Sequence, residues 1–435
     1  MAHMAGWNKF WRHSTIGLYL STWTTRGLSS AQCIYDTASS TVSSGGNVPY
    51  NRLAIAPDGQ MVVISSIVRS EANLFQALRR FGISSIGHLS LLGEKEMSIP
   101  SGDLLAAPVA FSGDGVHVYM AVPSEAKLYT FNSATIDNHI DSDDMVSTTG
   151  CHYLGLTSSD TFVVAVDEND IRRFQRDTST GLLVLYDTKD IASILDATAA
   201  TADPTGNYVV LVRKWFIEVF HVGATVGVDQ VTRIETKGDS LLEPGSDGAG
   251  AEYIVMSLDS SSIYLQSDID SGHGVLLQSS SLVEGVPTFV RDFADEIPAA
   301  GYTFVAIHPD GSYLYALDRE TGDLSQHVRG ADGALTSLVC TYTTGEVNSY
   351  NSMLASPDGL HLFVANGNNL YSYATHVQTQ ALTTPGPSTA APSTPEPSTA
   401  SPATPAPATP APATPEPSTA APTPAPSECI PCGHM

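Results

Sequence analysis

The chain is poor in cysteine, aromatic side chains and positive charge: its 435 residues carry 5 cysteines, 8% aromatics, and 20 Lys and Arg against 45 Asp and Glu. A formal net charge of −25 repels phosphate-rich partners and excludes nucleic acid as a ligand. No stretch approaches the roughly 18 uninterrupted apolar residues of a membrane-spanning helix. A Gly-rich phosphate loop, a nucleophile elbow, an H-E-x-x-H helix and an N-x-Ser/Thr glycosylation site are also missing. The one C-x-x-C pair, Cys429 and Cys432, gains at best His434 as a third ligand, and a structural zinc site needs four. A terminal disulfide or intermolecular crosslink is therefore expected there, with no metal and no cofactor.

What the chain does have is a repeat. "VAIHPDGSYLYALD", from Val305, reads as an apolar strand, a Pro-Asp-Gly turn and a second strand with Tyr313, Tyr315 and Leu317 on one face. The same grammar recurs at Leu53, Val109, Leu154, Thr201, Ile254 and Met353. From Asp58 to Asp358 the turns pass through six intervals, a period of about 50 residues, which marks propeller blades. The fold expected is all-β: a seven-bladed propeller over residues 32–377. Outer strands read as "LLVLYDTKD" from Leu182 and "SLVCTYTTGE" from Ser337, but the last unit has none before the composition changes. "QCIYDTASS", Gln32 to Ser40, repeats the outer-strand wording and is expected to close the last blade from the N-terminal side, leaving no long open edge.

Residues 1–31 combine Lys9 and Arg12, a short apolar "IGLYL" and small residues Ser29 to Ala31, the pattern of a secretory leader. Residues 378–428 are Pro, Thr, Ser and Ala, with too little apolar surface to bury, and favour a disordered or extended polyproline stalk. O-glycosylation is expected on Thr404, Thr409, Thr414, Ser418, Thr419 and Thr423. Residues 429–435 form the terminal Cys-x-x-Cys segment. The location expected is extracellular, at the cell surface or wall.

The phrases "HPDGSYLYALDRETG", "SPDGLHLFVAN", "RDTSTGLLVLYDT" and "RGADGALTSLVCTYTTG" resemble the seven-bladed lactonase family, which includes bacterial 6-phosphogluconolactonases, fungal muconate cycloisomerases and non-enzymatic YVTN-type relatives. The resemblance spans residues 33–377 and specifies fold better than activity. It implies site positions at Gly150, Cys151 and His152, and at Arg319 in "LYALDRETG". The fourth unit departs from it: no Arg-His pair precedes Tyr208, and Arg213 and Lys214 stand where a carboxylate is expected. Since losing one member of a catalytic set costs orders of magnitude in rate, the sequence favours a non-enzymatic extracellular propeller. It would bind protein or glycan and could assemble into homo-oligomers or filaments through propeller and stalk. The alternative is an extracellular lactonase acting on a small cyclic ester, with His152 and Arg319 as its site. Carboxylates in "DNHIDSDDM" (Asp137 to Met145) and "SDIDSGHG" (Ser267 to Gly274) read as solvated turns, without the spacing of a Ca²⁺ loop. His117, His273, His308, His327 and His361 fall near blade turns, in packing roles.

Overall fold

A computed structural model of the chain describes residues 35–36, 51–70, 73–99, 106–144, 151–167, 169–191, 197–213, 216–223, 227–235, 253–257, 259–260, 262–266, 274–283, 286–298, 303–318, 321–331, 333, 335–343, 350–366 and 369–375. The chain divides into two compact units, Met1–Thr379 and Gln380–Met435, and every described residue lies in the first. The leader, Cys33, Arg319, His273, the Pro-rich stalk with its Thr and Ser positions, and Cys429 and Cys432 lie outside the described residues.

The structure is an all-β propeller. Among the described residues the only helical segment is one 3-10 turn, Pro123–Glu125. Six sheets are each built from four consecutive antiparallel strands, as in Asn51–Ile55, Met61–Ser70, Asn73–Ile83 and Leu89–Ile99. The remaining sheet is composite: Tyr350–Ala355, His361–Asn366 and Asn369–Ala374 take their fourth strand from Tyr35–Asp36. Tyr35 pairs with Ala374, and Asp36 with Tyr373. So six blades are continuous in sequence, while the last repeat supplies three strands of its own. The inner strands neighbour one another in chain order, and Tyr350–Ala355 also meets Asn51–Ile55, which closes the ring.

The second strand of each blade is buried on both faces, as in His117–Val122 and Phe162–Asp167. Each blade is covered by a neighbour on both sides, so this strand reads as a continuous apolar run where a half-buried strand would alternate. In Tyr313–Asp318, Tyr315 and Leu317 join Tyr313 and residues of the last blade in one cluster. Leu314 and Ala316 pack the other way, against Tyr264 and Val305. Outer strands are freer: in Leu183–Asp190, Val184, Leu185 and Tyr186 are exposed. Thr135–Asp144, expected as a solvated turn, is the outer strand of the second blade.

At the hairpin turns the left-handed position is filled by glycine, as at Gly59 (φ 70°) and Gly311 (φ 75°), because a side chain there is strained. Asp160 (φ 55°) is an exception in the third blade, and its carboxylate has a use. It accepts from the Gly113 backbone N–H at 2.7 Å and from Arg176 Nη1 at 2.5 Å. Arg176, fully buried, also donates from Nε to Tyr119 Oη and from Nη2 to Asp114, each at 2.7 Å. One guanidinium on the third blade thus fastens it to the second. Arg329 repeats the device between the sixth and fifth blades, donating to Tyr264 Oη at 2.7 Å and to Asp259. His308 spans a similar seam, between Asp310 and the Gly359 carbonyl.

Three buried histidines give the ring a pH dependence. Burial lowers the His117 pKa, helped by Arg176 and opposed by Asp114 and Asp160. Burial likewise lowers that of His327, and of His361, where Asp358 opposes it. The unfolded chain therefore binds more protons below about pH 6.5 than the folded ring does, and stability present above that pH declines as pH falls through the folded values. The thermal midpoint should be lower at pH 5 than at pH 8; equal midpoints would contradict this account.

Candidate active site

The inner strand Cys151–Leu156 pairs with Phe162–Asp167 as Cys151 to Asp167 and then Tyr153 to Val166, so His152 is an extra residue in the ladder. Such a bulge sets two residues of one strand against one of its partner and re-aims the neighbouring side chains. Their packing shows the switch. Cys151 shares a cluster with Leu154, while Tyr153 packs against the next blade's cluster; a regular strand would put Cys151 and Tyr153 on the same face. The register shifts at the same place in the fourth blade, between Ala197 and Ala199, and in the last, between Tyr350 and Ser352.

His152 reaches a cavity of about 200 Å³ bounded by the first residues of the inner strands. Arg52, Tyr153, Ala199, Ala200 and Ser352 share its wall with Leu53, Val109, Leu154, Ile254 and Leu354, so its lining mixes polar and apolar groups. Among the described lining residues Arg52 is the one with a permanent charge. It is half-buried, and no hydrogen bond or ion pair occupies its guanidinium among the described residues. Cys151 is no nucleophile here. Burial, then the charge of Asp167, push its thiol up to about 12, against a smaller opposite pull from backbone hydrogen bonds and Arg52. Its Sγ instead donates to the Tyr153 carbonyl at 3.3 Å. A thiol held protonated at neutral pH is inert.

Of the residues singled out in the sequence, His152 is therefore in the cavity, and Arg319 lies outside the described residues. The fourth blade resolves its own irregularity. Arg213 is fully buried and donates from Nε to Glu218 at 2.7 Å and from Nη2 to the Ile191 carbonyl at 2.8 Å. Gln230 donates to the other Glu218 oxygen at 2.9 Å. A carboxylate is present in that blade, but it is committed to Arg213, and the blade's share of the cavity wall is Ala199 and Ala200. The cation that does face the cavity, Arg52, went unnoticed in the sequence. "YNRLAIAPDG" shows an Arg just ahead of the first inner strand's apolar run, and only the closed ring brings it beside His152.

No protein-family model matches the sequence, and no curated protein does. The fold is similar to that of a candidate 6-phosphogluconolactonase from Bacteroides uniformis, at 18% identity and a TM-score of 0.53, over 69% of this chain and 90% of that one. It is similar to the periplasmic gluconolactonase PpgL of Pseudomonas aeruginosa, at 12% identity and a TM-score of 0.55, over 70% and 87%. It is also similar to the β-propeller domain of Myceliophthora thermophila Cps50, at 9% identity and a TM-score of 0.55, over 79% and 100%. At these identities the likeness establishes the propeller fold. It also corrects the expectation of a non-enzymatic scaffold, because lactonase propellers stand among its structural neighbours. That expectation took the altered fourth blade for the loss of a site, whereas the cavity keeps His152 and a cation from another blade.

Proposed function

We propose that the protein is a lactonase-type propeller that hydrolyses a small cyclic ester in the axial cavity. The observation that carries the reading is the bulge at His152, which brings an imidazole to the same cavity wall as the guanidinium of Arg52, which has no hydrogen bond or ion pair among the described residues. Hydrolysis requires a water to add to the ester carbonyl and the bond from that carbon to the ring oxygen to break. His152 accepts the proton of the attacking water and returns it to the departing ring oxygen. Arg52 donates to the carbonyl oxygen as negative charge gathers there. Structural likeness to lactonase propellers supports the reading through the fold.

The test is proton release from γ- and δ-aldonolactones in weak buffer with a pH indicator. A rate proportional to protein concentration, saturable in lactone and above spontaneous opening, is expected. A whole panel opening at the spontaneous rate would sink the proposal.

A further inference from the structure

Every buried arginine among the described residues has a carboxylate on it: Arg79 has Glu94, Arg172 has Asp167, Arg173 has Asp187, Arg176 has Asp114, Arg213 has Glu218 and Arg329 has Asp259. Arg52 is different. It sits in a chain with a surplus of carboxylates, 45 acidic residues against 20 basic, yet no acidic side chain is among the described residues of the cavity wall. A half-buried cation without a counter-charge in its recess is less favourable than a paired one unless a ligand supplies the charge.

We infer that the axial cavity is an anion site that holds a small organic monocarboxylate on Arg52. A guanidinium offers two parallel N–H donors matched to the two oxygens of a carboxylate. One guanidinium balances one negative charge. A phosphate monoester brings nearly two, and the described wall holds no second permanent cation to meet it. The volume of about 200 Å³ suits a small acid. In its choice of acid the inference rests on the lactonase reading: ring opening converts a neutral ester into a hydroxy acid, so the product is the form that Arg52 holds more firmly. The site would then bind its product competitively with the lactone.

The experiment is calorimetric titration of the full-length chain with gluconate, with sorbitol as the neutral counterpart and 6-phosphogluconate as the phosphorylated one. Arg52→Gln and Arg52→Lys are measured beside the wild type, each checked for an unchanged thermal midpoint. Gluconate should bind saturably and more weakly as salt is raised. Arg52→Gln should weaken it by about ten- to a hundredfold, and Arg52→Lys should restore part of the loss. Sorbitol and 6-phosphogluconate should bind less well than gluconate. Gluconate affinity unchanged in Arg52→Gln, or tighter binding of the phosphorylated acid, overturns the inference. The two readings fail separately. Arg52-dependent gluconate binding in a protein that opens no lactone supports the anion site and removes the lactonase; lactone opening that gluconate does not inhibit keeps the lactonase and removes the anion site.

Discussion

Replacing His152 by alanine should lower the rate of lactone opening by about 10²–10⁴-fold, the usual contribution of a positioned general base. The fold should survive the change. His152 is the extra residue of a bulge and only half-buried at the cavity wall, so its side chain is no keystone of either neighbouring cluster. The comparison to make is kcat and KM for wild type and His152→Ala at matched thermal midpoints. A loss confined to kcat is what removal of a proton acceptor gives; a rise in KM alone would make His152 a binding residue. An unchanged kcat/KM would move the chemistry away from this cavity wall.

Arg176→Met should destabilise the propeller by about 3 kcal/mol, at the lower end for breaking a buried ion pair. The guanidinium is fully buried and serves Tyr119, Asp114 and Asp160 at once. Without it those groups lose a shared donor at the seam between the second and third blades. Partial exposure of Asp114 and Asp160, 37% and 22%, lets water recover some of the loss, hence the lower end. The pH dependence gives an independent reading. Burial raises the Asp114 pKa, but hydrogen bonds from Arg176, Ser112 and the Val116 N–H outweigh it and hold the carboxyl at about 2. Its contribution is thus present above the unfolded value near 4 and lost as pH falls toward 2. Urea unfolding at pH 7 should show the lower midpoint in the variant, and the decline between pH 4 and pH 2 should be shallower. Arg329→Met should cost less, because its Asp259 partner is 51% exposed and its bonds to that carboxylate are 3.1–3.2 Å. Equal losses would mean that the carboxylate bonds contribute little at either seam.

The repeat was legible because each unit spells its own hairpin. An apolar strand, a turn with a residue able to adopt positive φ and a second apolar strand are local demands that one copy of the sequence states in full. The composite blade was legible for the same reason: three strands in the last unit and an outer-strand phrase near the other end leave one economical pairing, and Tyr35 does pair with Ala374. The seams were written less plainly. Arg176 and Arg329 stand at the start of the phrases "RDTSTG" and "RGADG", but their partners are 57 to 70 residues away on the neighbouring blade. No window of one unit contains both.

The site divides along the same line. The amino-acid order determined the all-β class, the repeat and the position of His152 at the start of an inner strand, since each depends on contacts within a hairpin or on the pattern of one face. The tertiary structure decided that His152 occupies a bulge, that Arg213 is committed to Glu218, and that Arg52 from the first blade shares a cavity with His152 from the third. Those outcomes depend on the ring closing: a side chain at the mouth of an inner strand shares the cavity wall with residues of several other blades, which its own hairpin does not contain.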